Sequence, residues 1–206
     1  MTQKAFYFDS TRCTGCKTCE MACKDYKDLG ADYTFRRVYD YEGGGLTQGA
    51  NDTWESDAYV YHVSSSCQHC DDPACAKVCP TRAMAKDADT GLVSVDADKC
   101  IGCGYCEMAC PYDAPHVDRQ LGHSVKCDGC AERVAAGKQP ICVESCLMRC
   151  LEFGDASEMA KKGERAAVAP LPEPSYTSPN LYVKKAGCAK LSGDTTGHVA
   201  NPLEVI

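Results

Sequence analysis

The chain has 206 residues, a formal net charge of −7 and 18 cysteines, which is enough length for one large domain or two small ones. The acidic balance and the lack of a dense Lys/Arg run exclude a nucleic-acid-binding surface, and no apolar run approaches the roughly 20 residues of a membrane-spanning helix. Four Phe and one Trp are few for a core of this size, so we expect clusters or bridges formed by the cysteines to organise the interior.

Sixteen of the 18 cysteines form four groups of four, here called quartets. In sequence order the quartets are Cys13, Cys16, Cys19 and Cys23; Cys67, Cys70, Cys75 and Cys79; Cys100, Cys103, Cys106 and Cys110; and Cys127, Cys130, Cys142 and Cys146. Each quartet begins with C-x2-C and ends with C-x3-C, which is typical of ferredoxins that hold two [4Fe-4S] clusters. In that pattern three cysteines bind one cluster, while the fourth reaches a neighbouring cluster.

Zinc sites and disulfides are the two alternatives to iron-sulfur clusters. A zinc site needs two C-x2-C pairs per metal and has no use for the trailing C-x3-C-P, which Pro80 and Pro111 complete in quartets two and three. Quartets one and four depart from the C-x3-C-P pattern, with Lys24 and Leu147 in place of proline. The amino terminus lacks the pattern of a secretory signal, so an oxidising compartment is not implied. We therefore predict four [4Fe-4S] clusters.

The swap of the fourth cysteine requires that quartets be paired. The segment Met84–Asp98 between quartets two and three predicts a strand, a turn at residues 89–91 and a second strand, as in a compact two-cluster ferredoxin, and quartets one and four then pair around it. The predicted ligand sets are Cys13, Cys16, Cys19 with Cys146; Cys127, Cys130, Cys142 with Cys23; Cys67, Cys70, Cys75 with Cys110; and Cys100, Cys103, Cys106 with Cys79. The rival pairing joins quartet one with two and three with four.

These pairs predict an α+β fold made of two ferredoxin-like modules, each binding two clusters, with an extended C-terminal tail. Residues 57–125 form an inserted module, and residues 1–56 plus 126–155 form the outer module around it. In residues 156–206 we expect a short polar helix over "SEMAKKGERAA", followed from Val168 by a tail with five prolines between positions 170 and 202. We expect the tail to be an arm that contacts a partner; a disordered end is the alternative.

Several residues outside the quartets invite a functional interpretation. Arg12, Lys99 and Lys126 each precede the first cysteine of a quartet, and a cation there would raise the potential of an adjacent cluster. We favour ordinary solvated surface cations, whose charges interact weakly through water. For Tyr105 and Tyr112 we expect packing against the third quartet rather than a role as electron conduits.

The remaining candidates are one histidine and two cysteines. His69 lies inside a quartet that is complete without it, so we do not expect it to bind iron. Cys150 and Cys188 are left over, and we interpret them as structural or incidental thiols. No catalytic triad, Walker loop or dinucleotide-binding motif is present. We therefore expect a non-catalytic protein without a small-molecule substrate of its own.

Long ordered motifs carry a family resemblance over nearly the whole sequence. They include "RCTGCKTCEMACKDYKDL", "FRRVY", "HCDDPACAKVCP", "CIGCGYCEMACPYDAP", "KCDGCAERVAAGKQPICVESC" and "GDTTGHVANP". The protein resembles the four-cluster iron-sulfur subunits of molybdopterin oxidoreductases, most closely those of the dimethyl sulfoxide reductase type.

The resemblance implies a relay of electrons between a membrane anchor that oxidises quinol and a large molybdopterin catalytic subunit. It further implies that the cluster of Cys13, Cys16, Cys19 and Cys146 faces the catalytic subunit, and that the cluster of Cys100, Cys103, Cys106 and Cys79 lies nearest the quinol site. We expect the protein to be held peripherally at the cytoplasmic membrane by these partners, on the periplasmic face after co-export, with the cytoplasm as the alternative. A freestanding soluble polyferredoxin is the alternative function.

Overall fold

A computed structural model describes residues 2–205 of the protein. Its α-helices are all short: α1 (Thr18–Tyr26), α2 (Ala74–Lys77), α3 (Tyr105–Ala109), α4 (Ala131–Ala135), α5 (Ile141–Glu144) and α6 (Ala156–Met159). The third cysteine of every quartet lies in a helix, namely Cys19 in α1, Cys75 in α2, Cys106 in α3 and Cys142 in α5. Within residues 2–205, no helix is long and apolar enough to cross a bilayer.

A four-stranded sheet is built around strand β1 (Lys4–Asp9). β1 lies between β10 (Leu151–Asp155), to which it is antiparallel, and β12 (Leu181–Lys184), to which it is parallel. The edge strand β11 (Glu164–Arg165) pairs with β12. The sequence of β1, "KAFYFD", is rich in aromatic side chains that favour strands, and all its residues after Lys4 are buried, as suits an interior strand.

A three-stranded antiparallel sheet packs beside it, with β2 (Arg36–Gly43) between β5 (Tyr59–Ser66) and β13 (Gly197–Val199). The main hydrophobic core joins the two sheets. It includes Phe8 from β1, Val38 from β2, Val63 from β5 and Leu181 from β12. The sulfurs of Cys19, Cys142 and Cys146 extend this core, so the cysteine loops are packed against it.

Three hairpins complete the fold: β3 (Leu46–Gln48) with β4 (Trp54–Ser56), β6 (Met84–Lys86) with β7 (Val93–Val95), and β8 (His116–Asp118) with β9 (His123–Val125). The β6–β7 hairpin confirms the strand-turn-strand prediction between quartets two and three. The β3–β4 hairpin is exposed along both strands.

The C-terminal quarter, residues 156–206, differs from the sequence prediction. The helix α6 ends at Met159, so the expected polar helix over residues 157–167 is wrong in length; the backbone turns there into β11. The tail is neither disordered nor a free arm, because β12 is an interior strand of the first sheet and β13 pairs with β2. The prolines exclude an α-helix as predicted, leaving one 3-10 turn at Pro174–Tyr176.

Candidate iron-sulfur centres

The first cavity gathers four of the predicted ligands. Cys13, Cys16, Cys19 and Cys146 line a cavity between α1 and the β10 end of the main core. The loop before α1 supplies the first two sulfurs, α1 supplies the third, and the segment after α5 supplies the fourth. The structure thus brings Cys146 to quartet one from more than 120 residues away in sequence.

A second cavity is lined by Cys79, Cys100, Cys103 and Cys106. Val95 and Met84 of the β6–β7 hairpin form part of its apolar wall. Tyr105 lines the same cavity from α3 and is half exposed, whereas Tyr112 is buried.

For the other two predicted sets, the effect of neighbouring sulfurs on each thiol indicates which cysteines lie together. Burial, together with the neighbouring Cys67 and Cys110, raises the pKa of the Cys75 thiol to about 12. Burial likewise raises the pKa of the Cys23 thiol, and the sulfurs that raise it most after burial are those of Cys127 and Cys142. The fourth cysteines of quartets one and three therefore lie near quartets four and two, respectively.

These raised pKa values have a chemical consequence. A buried thiol without a cation stays protonated, because a lone buried thiolate is costly. Iron binds the deprotonated form and supplies the positive charge that the site lacks, so loading of the sites releases protons.

The donors around the sulfurs fit an iron-sulfur cluster. Backbone N–H groups point at ligand sulfurs: Ser124 N lies 3.3 Å from Cys100 Sγ, and Gly129 N lies 3.4 Å from Cys127 Sγ. Met84 N donates to Cys79 Sγ at 3.4 Å. Such hydrogen bonds to sulfur help to set cluster potentials. Among residues 2–205, no group of three or more His, Cys, Asp or Glu side chains is arranged to hold a single metal ion.

The C-x2-C loops turn through a left-handed residue. Gly15, Gly102 and Gly129 occupy the position before the second cysteine with φ of 65°, 64° and 71°, a conformation that glycine adopts at little cost. In quartet two His69 takes the same position with φ of 44°. Its Nδ1 accepts a hydrogen bond from Val93 N at 2.9 Å, which holds the strained loop in place.

Buried polar atoms without partners also surround the sulfurs. Arg36 Nε, His69 Nε2, Tyr112 OH and Thr177 Oγ1 have no hydrogen-bond partner within the described residues. Thr177 and Tyr112 approach Cys70. All four carry an N–H or O–H donor that suits the sulfides of a bound cluster, since His69 Nδ1 accepts a hydrogen bond and leaves the ring proton on Nε2. The sequence analysis did not single out Arg36 or Thr177, although Arg36 lies in the motif "FRRVY" that contributes to the family resemblance.

Lys126 corrects the interpretation of solvated cations. Arg12 and Lys99 are exposed as expected, but Lys126 is only 6 % exposed. Its Nζ lies 3.5 Å from Cys67 Sγ and donates to the carbonyl of Cys127 at 2.8 Å. A buried ammonium beside a ligand sulfur interacts strongly with a cluster charge because little water screens it.

The two leftover cysteines differ in their surroundings. Cys188 is exposed. Cys150 is buried; its Sγ lies 3.4 Å from Cys146 Sγ, and its backbone N–H donates to the same sulfur at 3.4 Å. It also lines the cavity of Cys13. Cys150 is therefore a fifth sulfur at this site rather than a distant core residue.

Comparison with known proteins agrees with this chemistry. Residues 10–30 match the family model of a 4Fe-4S binding domain, and residues 58–156 match that of a 4Fe-4S dicluster domain. The protein is 57 % identical over 206 residues to the B subunit of the anaerobic dimethyl sulfoxide reductase of Haemophilus influenzae, with 100 % of both sequences covered. It is 58 % identical over 205 residues to YnfG of Escherichia coli K12, a probable anaerobic dimethyl sulfoxide reductase subunit, with 99 % of each covered.

The protein belongs to the family of anaerobic dimethyl sulfoxide reductase B subunits. It is also 31 % identical over 182 residues to the formate dehydrogenase iron-sulfur subunit of Haemophilus influenzae, of which it covers 58 %. As a member of the B-subunit family it is an electron-transfer subunit of an oxidoreductase complex and carries four [4Fe-4S] clusters. Its fold combines short helices and strands with 4Fe-4S ferredoxin-type domains.

Proposed function

We propose that the sixteen quartet cysteines hold the four clusters in the sets predicted from the sequence. The two cavities support the sets of Cys146 and Cys79, and the mutual charges of the sulfurs support the other two. Quartets one and four then form an outer module, and quartets two and three form an inserted one. The dicluster model, which continues to residue 156, spans the inserted module and quartet four.

Within these sets the clusters follow one another as a wire. The set that contains Cys19 is placed beside the set that contains Cys142, since the charges of both sulfurs act on the guanidinium of Arg36. The next junction is Lys126, which contacts Cys67 Sγ and the carbonyl of Cys127. The set of Cys79 follows through the packing of α2 on α3. Electrons move along this row while the thiolates stay in place, so little reorganisation is needed at each step.

The observation that marks the two ends of the row is the exposure of two proposed ligands. Of the sixteen quartet cysteines, Cys16 and Cys103 are the exposed ones, and they are the second cysteines of quartets one and three, at opposite ends of the row. Each has an exposed methionine nearby in the shared sequence "CEMAC": Met21 is 62 % exposed and Met108 is 75 % exposed. Exposed apolar side chains beside a near-surface cluster suit a docking site for a redox partner.

The proposed function is the transfer of electrons between a membrane quinol anchor at the Cys103 end and a molybdopterin catalytic subunit at the Cys16 end. Named relatives act in dimethyl sulfoxide reductases, so an S-oxide is the proposed terminal acceptor. Both partners would hold the protein peripherally at the membrane, on the periplasmic face.

Matched variants at the two ends test this proposal in the intact complex. Met108→Lys places a charge in the apolar patch near Cys103 and is expected to weaken retention of the membrane anchor while the catalytic subunit stays bound. Met21→Lys is expected to do the reverse. Each preparation is purified anaerobically, its co-purifying subunits are identified, and iron and molybdenum are measured.

The wild-type complex is expected to contain about sixteen irons per copy of this subunit, four for each cluster, with molybdenum in the large partner. Loss of the same subunit from both variants would contradict the assignment of the two ends. A full iron content with no molybdenum and no partner would instead identify a freestanding carrier.

A further inference from the structure

Arg36 is a cation buried without a carboxylate. It is 1 % exposed; Nη1 donates to Ser64 Oγ at 3.1 Å and Nη2 donates to Ser66 Oγ at 2.9 Å. Nε has no partner, and the guanidinium lies over the Phe6 ring, 4.7 Å from its centre. Within residues 2–205 both of its hydrogen bonds thus go to neutral hydroxyls. A buried charge with only neutral partners is strongly destabilising unless an anion lies nearby.

The sulfurs around Arg36 are the available anions. The groups whose charges act on it most strongly are Cys142, Cys19, Cys127 and Cys23. Cys19 belongs to the proposed set that ends at Cys146, and the other three belong to the neighbouring set. Arg36 therefore lies between two clusters of the outer module rather than beside one.

A hydroxyl connects the guanidinium to one of the ligands. Ser64 Oγ accepts from Arg36 Nη1, and the same oxygen lies 3.5 Å from Cys19 Sγ. Val38, two residues further along β2, packs in the core beside Cys19, because alternate residues of a strand face the same side. The position of the guanidinium is fixed by the backbone of β2 and by the hydrogen bonds to Ser64 and Ser66 of β5.

We propose that Arg36 is the shared counter-cation of these two clusters and that it raises the midpoint potential of both. This inference rests on the ligand sets proposed above. Each cluster with four thiolates carries a charge of roughly −2 when oxidised, and reduction adds another negative charge. A fixed cation in a medium of low dielectric constant stabilises the added electron on either side. Because it acts on both clusters, it raises the two potentials together, and its charge does not widen the difference between them.

Redox titration with EPR detection tests the proposal in the full complex. The signals of the two clusters are first identified as those lost in Cys16→Ser and in Cys130→Ser. Arg36→Gln, which removes the charge and keeps hydrogen-bonding capacity, is expected to lower both midpoint potentials and to leave the other two clusters unchanged. Arg36→Lys is expected to restore most of the shift.

Arg37 provides a matched control on the opposite face of β2. It is also buried, but Nη1 donates to the carbonyl of Tyr112 at 3.2 Å and Nη2 lies 2.7 Å from His116 Nε2. Arg37→Gln removes an equally buried charge and is expected to leave the two signals at their wild-type potentials.

The possible results separate the proposal from its alternatives. Unchanged potentials in Arg36→Gln, a shift in only one signal, or an equal shift in Arg37→Gln would overturn the shared role. If Arg36→Gln assembles no clusters, Arg36→Lys is decisive: because it keeps the charge, it must restore both signals at nearly wild-type potentials, and failure to restore either signal rejects the proposal. If Cys16→Ser and Cys130→Ser remove the same signal, the ligand sets are wrong, whatever Arg36 does.

Discussion

The ammonium of Lys126 lies where two proposed clusters meet. Its contacts reach the sulfur of Cys67 and the backbone of Cys127, and Val93 O accepts a further hydrogen bond from it. Arg36 occupies the corresponding place at the neighbouring junction. Two of the three junctions of the row therefore each contain one buried cation, which offsets the repulsion between neighbouring clusters.

The contrast between Lys126 and Lys99 gives a prediction with an internal control. Both lysines directly precede the first cysteine of a quartet, but Lys99 is exposed and paired with Asp96 at 2.6 Å. Lys126→Met removes a buried charge beside Cys67, so the midpoint potential of the cluster that depends on Cys67 is expected to fall. Lys99→Met is expected to leave all four potentials unchanged, because water screens that charge. Redox titration of both variants checks this, and equal shifts would reject the role of burial.

Single residues also show the limit of reading the sequence. The four clusters could be predicted from the spacing of the cysteines alone, because each tight loop carries its pattern within a few neighbouring residues. The burial of Lys126 could not be predicted from the sequence, because it results from contacts with Val93 and Cys67, which are distant in sequence. In three quartets a glycine precedes the second cysteine. The alignment of the quartets therefore could have predicted that His69, at the same position in quartet two, adopts the same left-handed conformation.

At the level of elements, local signals succeeded and long-range pairing failed. The β6–β7 hairpin was predictable because its turn and both strands lie within fifteen residues. Strand β12 was not, because its partner β1 lies more than 170 residues away and its four residues stand in a segment rich in proline. The proline-rich tail was therefore predicted to be an arm, whereas its residues Leu181–Lys184 form an interior strand of the first sheet.

The position of β12 predicts how the isolated subunit responds to chymotrypsin. Trp54 lies in the exposed β3–β4 hairpin, while Leu181 and Tyr182 lie buried in β12. A protease needs a locally unfolded segment, and an interior strand opens only when the sheet does. Anaerobic digestion with mass spectrometry is expected to show cleavage after Trp54 well before cleavage after Tyr182. Early cleavage in β12 with the clusters intact would show that this strand is not held in the sheet.

For the whole molecule, the distribution of apolar residues decides how much each part depends on its clusters. The main core contains Phe6, Phe8, Val63 and Phe153 in addition to its cysteines. The segment of residues 67–125 contains a much smaller core, in which Met84 and Val93 pack against Cys75 and Cys106. A core of this size cannot offset the conformational entropy of its loops, so the clusters must hold this segment together.

Iron removal is therefore expected to unfold the protein unevenly. After anaerobic chelation, hydrogen exchange should accelerate first in the β6–β7 and β8–β9 hairpins, which lie within residues 67–125, because both hairpins pack beside quartet cysteines in small cores. β1 and β5 should keep more protection, since the aromatic and aliphatic side chains of the two sheets remain in contact. Hydrogen exchange with mass spectrometry measures both, and reconstitution with iron and sulfide should restore the hairpins. Equal loss of protection in all four regions would mean that the sheets also depend on the clusters, and that the protein has one cooperative core instead of a stable frame with a cluster-dependent insert.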